Sequence, residues 1–303
     1  MAIPELNGLI AAAHSPFDAT GGLNVAVVSQ QAALFREMGL IGVFVGGSTG
    51  EWFSLSLDER RALTEAWVDV AGDLVVIAHV GGVAVEEAQS LADHAQTTGV
   101  DAISCLVQPE LGVRTAAGAV DYLEAVSSAA PTTSAFYYDM EAVTGIDVPL
   151  DQLLEVAIDR VPTLAGAKYT NTDLATLTRA QQVSDGVQIL MGRDEMLLGA
   201  LACGVKAAVG STYNYAAPVY QRIFDAVAQG DLDAARVANV EAVMFVKALL
   251  AAGVLPGAKA IMGWMGVDVG GPRPPHNTLD TNAARVFHGT IANMRVFARP
   301  LQP

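Results

Sequence analysis

Lysine is scarce in this 303-residue chain, with only Lys168, Lys206, Lys247 and Lys259. Lysine and arginine together number 17 against 32 acidic residues, a net charge of −15. Nucleic-acid binding requires basic patches that neutralise phosphates, and no basic cluster is present, which excludes nucleic acid and anionic membrane surfaces as partners. Long hydrophobic runs are also missing. Although 52% of the residues are hydrophobic, no stretch approaches the ~18–20 apolar residues of a spanning helix. Cysteine is limited to Cys105 and Cys203, which form no CxxC and lie in apolar segments. Two buried thiols in a reducing compartment are expected, not a disulfide or a metal site. The opening Met-Ala-Ile-Pro-Glu-Leu has no basic stretch followed by an apolar one, so no secretory signal is read and a cytoplasmic location is expected. Neither GxxxxGK[ST] nor GxGxxG occurs, which argues against nucleotide phosphate binding. His14, His79, His94, His276 and His288 show no HExxH or other ligand spacing, so no metal is expected and these residues read as structural or surface.

What is present is a repeated alternation. Short β-branched runs are followed by turns and then by amphipathic stretches with helical spacing. Strands are expected at Gly8–Ala13, Gly42–Gly46, Val75–Val80, Ala102–Val107, Ser134–Tyr138, Ala165–Tyr169, Val187–Met191 and Ala207–Val209. Helices are expected between them at Val25–Met38, Leu57–Ala71, Val85–Thr97, Ala116–Ser128, Leu150–Ile158, Leu174–Gln182 and Glu195–Cys203. Ser56-Leu-Asp-Glu59 has the spacing of a capping box at the start of the second helix. Eight strands separated by helical crossovers imply parallel pairing, and the fold expected is α/β, a (β/α)8 TIM barrel, with an open doubly wound sheet as its rival. Beyond the eighth strand only helices are read: Ala216–Ala228, Leu232–Ala252, Gly257–Trp264 and Thr281–Phe297. The organisation expected is a barrel over residues 1–228 and a C-terminal helical extension over 229–303.

Barrel active sites lie at the C-terminal ends of the strands, so the residues there carry the functional argument. Lys168 ends strand six beside the apolar run Leu164–Ala167. Burial disfavours the charged form of an amine, and a neutral amine forms Schiff bases with carbonyl compounds. A lysine at that place can equally snorkel to solvent or pair with a carboxylate. Gly46-Gly-Ser-Thr-Gly-Glu51 follows strand two. Its glycines let backbone N–H groups converge into an anion nest, and Ser48 and Thr49 add hydroxyl donors, a set suited to a small carboxylate. The same stretch fits the GxSxG nucleophile elbow, but Glu51–Leu55 intervene before the next helix, which disfavours a serine hydrolase. Tyr138 ends strand five and reads either as a core aromatic or as a proton shuttle. Asp194 and Glu195 open a helix, where the dipole favours acidic side chains.

Together these strand ends resemble the dihydrodipicolinate synthase / N-acetylneuraminate lyase family. The resemblance covers nearly the whole chain, from Ala13-His-Ser-Pro-Phe17 through Gly47-Ser-Thr-Gly-Glu51, Tyr138 and Gly166-x-Lys168 to the C-terminal helices. It implies a (β/α)8 barrel, usually homotetrameric, and class I lyase or aldolase chemistry on pyruvate with no metal or organic cofactor. It further implies Lys168 as the Schiff-base lysine, Tyr138 as the proton-transferring tyrosine, and Ser48 and Thr49 as the carboxylate site. Lys168-Tyr-Thr-Asn-Thr-Asp173, Gly192-Arg-Asp194-Glu195 and Gly210-Ser-Thr-Tyr-Asn214 resemble the N-acetylneuraminate lyase branch more closely. There Thr170, Gly192, Asp194, Glu195 and Ser211 match positions lining the sugar-acid pocket. The synthase branch carries an arginine five residues after the strand-five tyrosine, where this chain has Val143. Two segments depart from the family pattern. Val107-Gln-Pro-Glu-Leu-Gly112 lacks the usual tyrosine, and Asp139-Met-Glu-Ala142 replaces an Ile-Pro-Ala stretch. The departures leave room for another sugar acid, another proton route, or a keto-acid binder without turnover. Arg273, in the Gly-Gly-Pro-Arg loop, reads either as an active-site or as a subunit-contact residue.

Overall fold

The structure is a computed structural model that describes residues 3–183 and 186–302. Eight strands close into one parallel barrel in sequential order: β1 (Gly8–Ala12), β2 (Gly42–Val45), β3 (Val75–His79), β4 (Ala102–Cys105), β5 (Ser134–Asp139), β6 (Leu164–Tyr169), β7 (Gln188–Met191) and β8 (Ala207–Gly210). The open-sheet rival is thereby excluded, since β8 pairs with β1. The crossovers carry α1 (Val28–Glu37), α2 (Leu57–Ala71), α3 (Val85–Thr98), α4 (Ala116–Ser127), α5 (Glu141–Thr144), α6 (Leu150–Arg160), α7 (Leu174–Val183) and α8 (Leu197–Ala202). After the barrel come α9 (Tyr213–Ala228), α10 (Leu232–Ala252), α11 (Val254–Trp264) and α12 (Thr281–Ile291). No single described helix is long and apolar enough to cross a membrane.

Side-chain alternation divides the core in two. Ile10, Phe44, Ile77, Phe136, Tyr138, Leu190 and Val209 fill the lumen. Tyr137, Tyr169, Val43 and Val76, each one residue away from that phase, pack outward against the helices. The capping box at α2 forms as its spacing requires: Ser56 Oγ accepts from Glu59 N–H, and the Glu59 carboxylate accepts from Ser56 N–H. Thr115, Asp231 and Asp280 cap α4, α10 and α12 with the side-chain acceptor alone, which accepts from the N–H groups of Gly118, Ala234 and Ala283.

Most departures from the sequence expectations lie at element ends. The first helix opens with a 3-10 turn, Val25–Val27, before α1. The last helix stops at Ile291, with the chain turning at Ala292, instead of running to Phe297. Helix α9 begins earlier than expected, at Tyr213, but its backbone breaks at Ala216 before Pro218, a residue whose ring fits only a first helical turn. The short α5 was not legible, because four residues carry no periodicity. Cys105 is buried as expected, whereas Cys203 is half-buried at the end of α8, and both are free thiols.

One irregularity sets the functional face of β6. Ala135 pairs with Leu164, but Phe136 pairs with Gly166, so Ala165 is an extra residue. A one-residue insertion reverses which face each later side chain occupies. Lys168 consequently stands beside Tyr138 with its side chain in the lumen. Gly166 is required at the bulge, since a Cβ there would overlap the Gln188 carbonyl oxygen.

Candidate active site

Lys168 and Tyr138 are register partners on β6 and β5, and both are nearly fully buried. The Lys168 Nζ lies 3.9 Å from the Tyr138 ring centroid and 4.4 Å from that of Phe44 on β2. Among the described residues it has no carboxylate within ion-pair distance. The Phe44 and Tyr138 rings meet edge-to-face at 5.7 Å. His79, at the end of β3, sets its ring perpendicular to Tyr138 at 6.0 Å and packs on Trp52 at 5.7 Å. The amine is thus held by ring faces, whose quadrupoles attract a cation without pairing it to an anion. Burial, followed by the nearby Arg60 and Lys168 charges, holds the His79 imidazole well below its usual range, so it is neutral.

The loop after β2 has the geometry of an anion nest. Gly46 takes a left-handed φ of 63°, and Glu51 N–H donates to the Ser48 carbonyl at 3.1 Å. The Ser48 and Thr49 amides donate to no acceptor among the described residues, which leaves them available to an anion. Both residues are half-buried, and with Ser211 they line a cavity of about 250 Å3. Its other walls are the apolar Val254, Leu255 and Ala258 of α11, together with Phe53, His14 and His276. His14 is buried, with its pKa lowered to about 3 by burial and, secondarily, by the Lys259 charge.

The opposite rim is formed by β6, β7 and β8. A Cβ at Gly192 would overlap the Thr170 hydroxyl, so glycine allows those two strand ends to approach. Asp194 is turned inward: its Oδ2 accepts from Thr212 N–H at 2.8 Å and Thr212 Oγ1 at 2.5 Å. Thr212 Oγ1 in turn meets Tyr220 OH at 2.7 Å. Burial raises the Asp194 pKa to about 6 against the lowering effect of the Thr212 bonds. The helix dipole read from the sequence is not what holds Asp194, which opens a 3-10 turn, Asp194–Met196, and is bound by Thr212 in the turn between β8 and α9. Glu195 is half-buried and pairs with Arg193 at 3.2 Å.

With this geometry established, the chain can be set beside known proteins. Residues 5–294 match the Dihydrodipicolinate synthetase family. N-acetylneuraminate lyase of mouse (Mus musculus) is 36% identical over 91% of this chain and 89% of its own. The solved Proteus mirabilis N-acetylneuraminate lyase superposes with a TM-score of 0.94 at 31% identity, covering 97% of this chain and 100% of that one. A Ruminococcus gnavus structure titled as a sialic acid aldolase catalytic lysine mutant superposes at 0.84 with 25% identity, covering 94% and 96%. The chain belongs to the dihydrodipicolinate synthetase family.

In this family member the predicted residues form three groups. Lys168 and Tyr138 adjoin in the lumen, whereas Ser48, Thr49 and Ser211 line a cavity to which neither of those two contributes. Thr170 and Gly192 adjoin at the far rim. Arg273 binds the segment around Glu51, through its backbone N–H to Glu51 Oε2 and through its side chain. Its guanidinium donates to the Gly21 and Ser54 carbonyls at 2.7 Å each and grips Glu59 with two nitrogens, stacked 4.3 Å over Phe17. Sequence reasoning missed His79 and Phe44, although the strand-end rule applied to β3 singles out the first. It also missed the partners of Glu51, because Lys259 is 208 positions distant in the sequence. At the departing β4 segment, Pro109–Leu111 form a 3-10 turn with Glu110 exposed.

Asp139, the other departure, is 6% exposed and finds no hydrogen-bond donor for its carboxylate among the described residues. Burial, then the nearby Glu141 charge, pushes its pKa up to about 7. The folded state therefore keeps a proton that the unfolded chain releases near its ordinary value of 3.8. Stability from this group is full below that value and falls as pH rises toward about 7, by ~1.4 kcal/mol per unit at most. Asp139→Asn should stabilise the protein over the native form more at pH 8 than at pH 5, read by thermal melts. An equal shift at both pH values would contradict this account.

Proposed function

We propose that this protein is a class I lyase/aldolase that cleaves or forms a carbon–carbon bond between pyruvate and an aldehyde through an imine on Lys168. The observation that carries the reading is the Lys168 amine, buried 3.9 Å from the Tyr138 ring with no carboxylate partner, beside a loop with free amides. The carboxylate of a keto acid docks on the Ser48 and Thr49 amides and hydroxyls, which fixes its carbonyl for attack by the amine. Loss of water from the carbinolamine gives a protonated imine, which accepts the electron pair of the adjacent C–C bond on cleavage and supplies an enamine nucleophile in the reverse direction. The Tyr138 hydroxyl, which has no protein partner among the described residues, carries the proton to or from the aldehyde oxygen.

The aldehyde portion is assigned to a sialic or 2-keto-3-deoxy sugar acid. Support comes from the lyase relatives, from Ser211 on the cavity wall, and from Thr170 and Asp194 at the rim. Val143, exposed on α5, offers no cation for the second carboxylate of a dihydrodipicolinate synthase substrate. The test is incubation with pyruvate and borohydride, followed by intact mass and peptide mapping. A single reduced pyruvate adduct on Lys168 is expected. Folded protein that forms no adduct would reduce the resemblance to scaffold and favour reversible keto-acid binding.

A further inference from the structure

The Ser48–Thr49 loop is tied from below to the C-terminal helices, and the tie is a buried ion pair that no role assigned so far explains. Glu51 and Lys259, on the loop and on α11, meet at 2.7 Å with side chains 0% and 1% exposed. The Lys259 ammonium also donates to the Ser15 and Gly271 carbonyls, at 2.9 and 3.2 Å, which leaves one of its three N–H groups for Glu51. Glu51 Oε2 accepts the Arg273 backbone N–H at 2.9 Å. Ser15 closes the circuit by donating its hydroxyl to the Gly50 carbonyl at 2.5 Å.

Glu51 is also the one non-glycine residue with a left-handed backbone among those described, at φ 54°. Side-chain-bearing residues resist that conformation, and its persistence requires the surroundings to over-determine it. Those surroundings are Lys259 and Arg273, both from beyond the barrel. The strained residue lies three positions after Ser48 and holds the Ser48 carbonyl through its own N–H. Relaxation of Glu51 toward ordinary φ would disturb its hydrogen bond to the Ser48 carbonyl and with it the orientation of the Ser48 and Thr49 peptide groups.

We propose that Glu51 and Lys259 are positioning residues that set the affinity of the Ser48–Thr49 nest for the pyruvate carboxylate. The inference rests on the aldolase reading and assigns it an added part: the C-terminal helices hold the carboxylate site in its binding shape. Neither residue touches the reacting carbon, so the effect falls on binding and not on chemistry.

The test uses the full chain and reads the Lys168 adduct after borohydride as a function of pyruvate concentration, alongside thermal melts. Glu51→Gln, which preserves size and the acceptor for Arg273, and Lys259→Met should each raise half-saturating pyruvate about ten-fold, with an unchanged plateau of adduct. Lys259→Met should lose more stability, because it strands a buried carboxylate. The double variant removes both charges, so it should regain most of that stability yet keep the raised half-saturation. Half-saturation within about two-fold of native in Glu51→Gln, or restored with stability in the double variant, would overturn the proposal and leave the pair a fold-holding contact. A native protein that forms no adduct would overturn the aldolase reading and this inference with it.

Discussion

Lys168→Ala should lose turnover of keto-acid substrates by at least about 10³-fold, along with all pyruvate adduct, while the barrel remains folded. The side chain has no ion pair or hydrogen-bond partner among the described residues, so truncation strands no charge elsewhere. Its contacts are the Phe44 and Tyr138 ring faces, which retain each other edge-to-face at 5.7 Å. Lys168→Arg sharpens the result. Guanidinium keeps a cation over the rings but forms no imine with a ketone, so activity should stay absent. Recovery in the arginine variant would show that charge, not nucleophilicity, is what the site needs. Substrate cleavage by Lys168→Ala at near-native rate would refute the imine mechanism.

Tyr138→Phe should cut turnover by roughly 10²- to 10⁴-fold, the usual range for loss of a positioned acid–base group. The substitution keeps the ring that Lys168 and His79 pack against and removes only the hydroxyl. Imine formation should therefore survive, and borohydride should still trap pyruvate on Lys168. Adduct without turnover is the expected pattern; turnover within a few-fold of native would transfer proton movement to another group. The second outcome carries weight here, because the segment after β4, Val107-Gln-Pro-Glu-Leu-Gly112, holds no tyrosine and exposes Glu110 on a 3-10 turn.

The barrel was readable because its signals are local. Runs such as Gly42–Val45 and Val76–His79 are buried along their whole length, and they recur between stretches of helical period. Lys168, Tyr138, Ser48 and Thr49 were readable because strand ends are where barrels place chemistry. What escaped is what depends on contacts between distant parts of the chain. Nothing local to Glu51 points to Lys259, and nothing local to Arg273 points to Glu59 and Gly21. Asp194 has a sufficient local explanation in the helix dipole, yet Thr212, in the turn after the next strand, is what holds it. The spacing of His79 matches no metal motif, although its strand-end position places it against Tyr138.

The extra residue in β6 has a consequence for how such a site is inherited. Ala165 contributes no functional group, yet its presence determines whether the lysine three positions later faces the lumen or the helices. A deletion of one codon there would leave every named residue in the gene and turn the amine out of the chamber. In this scaffold, chain length along one strand carries as much catalytic information as the identity of its residues. Scoring descendants by their motifs alone would count as enzymes chains whose lysine points the wrong way.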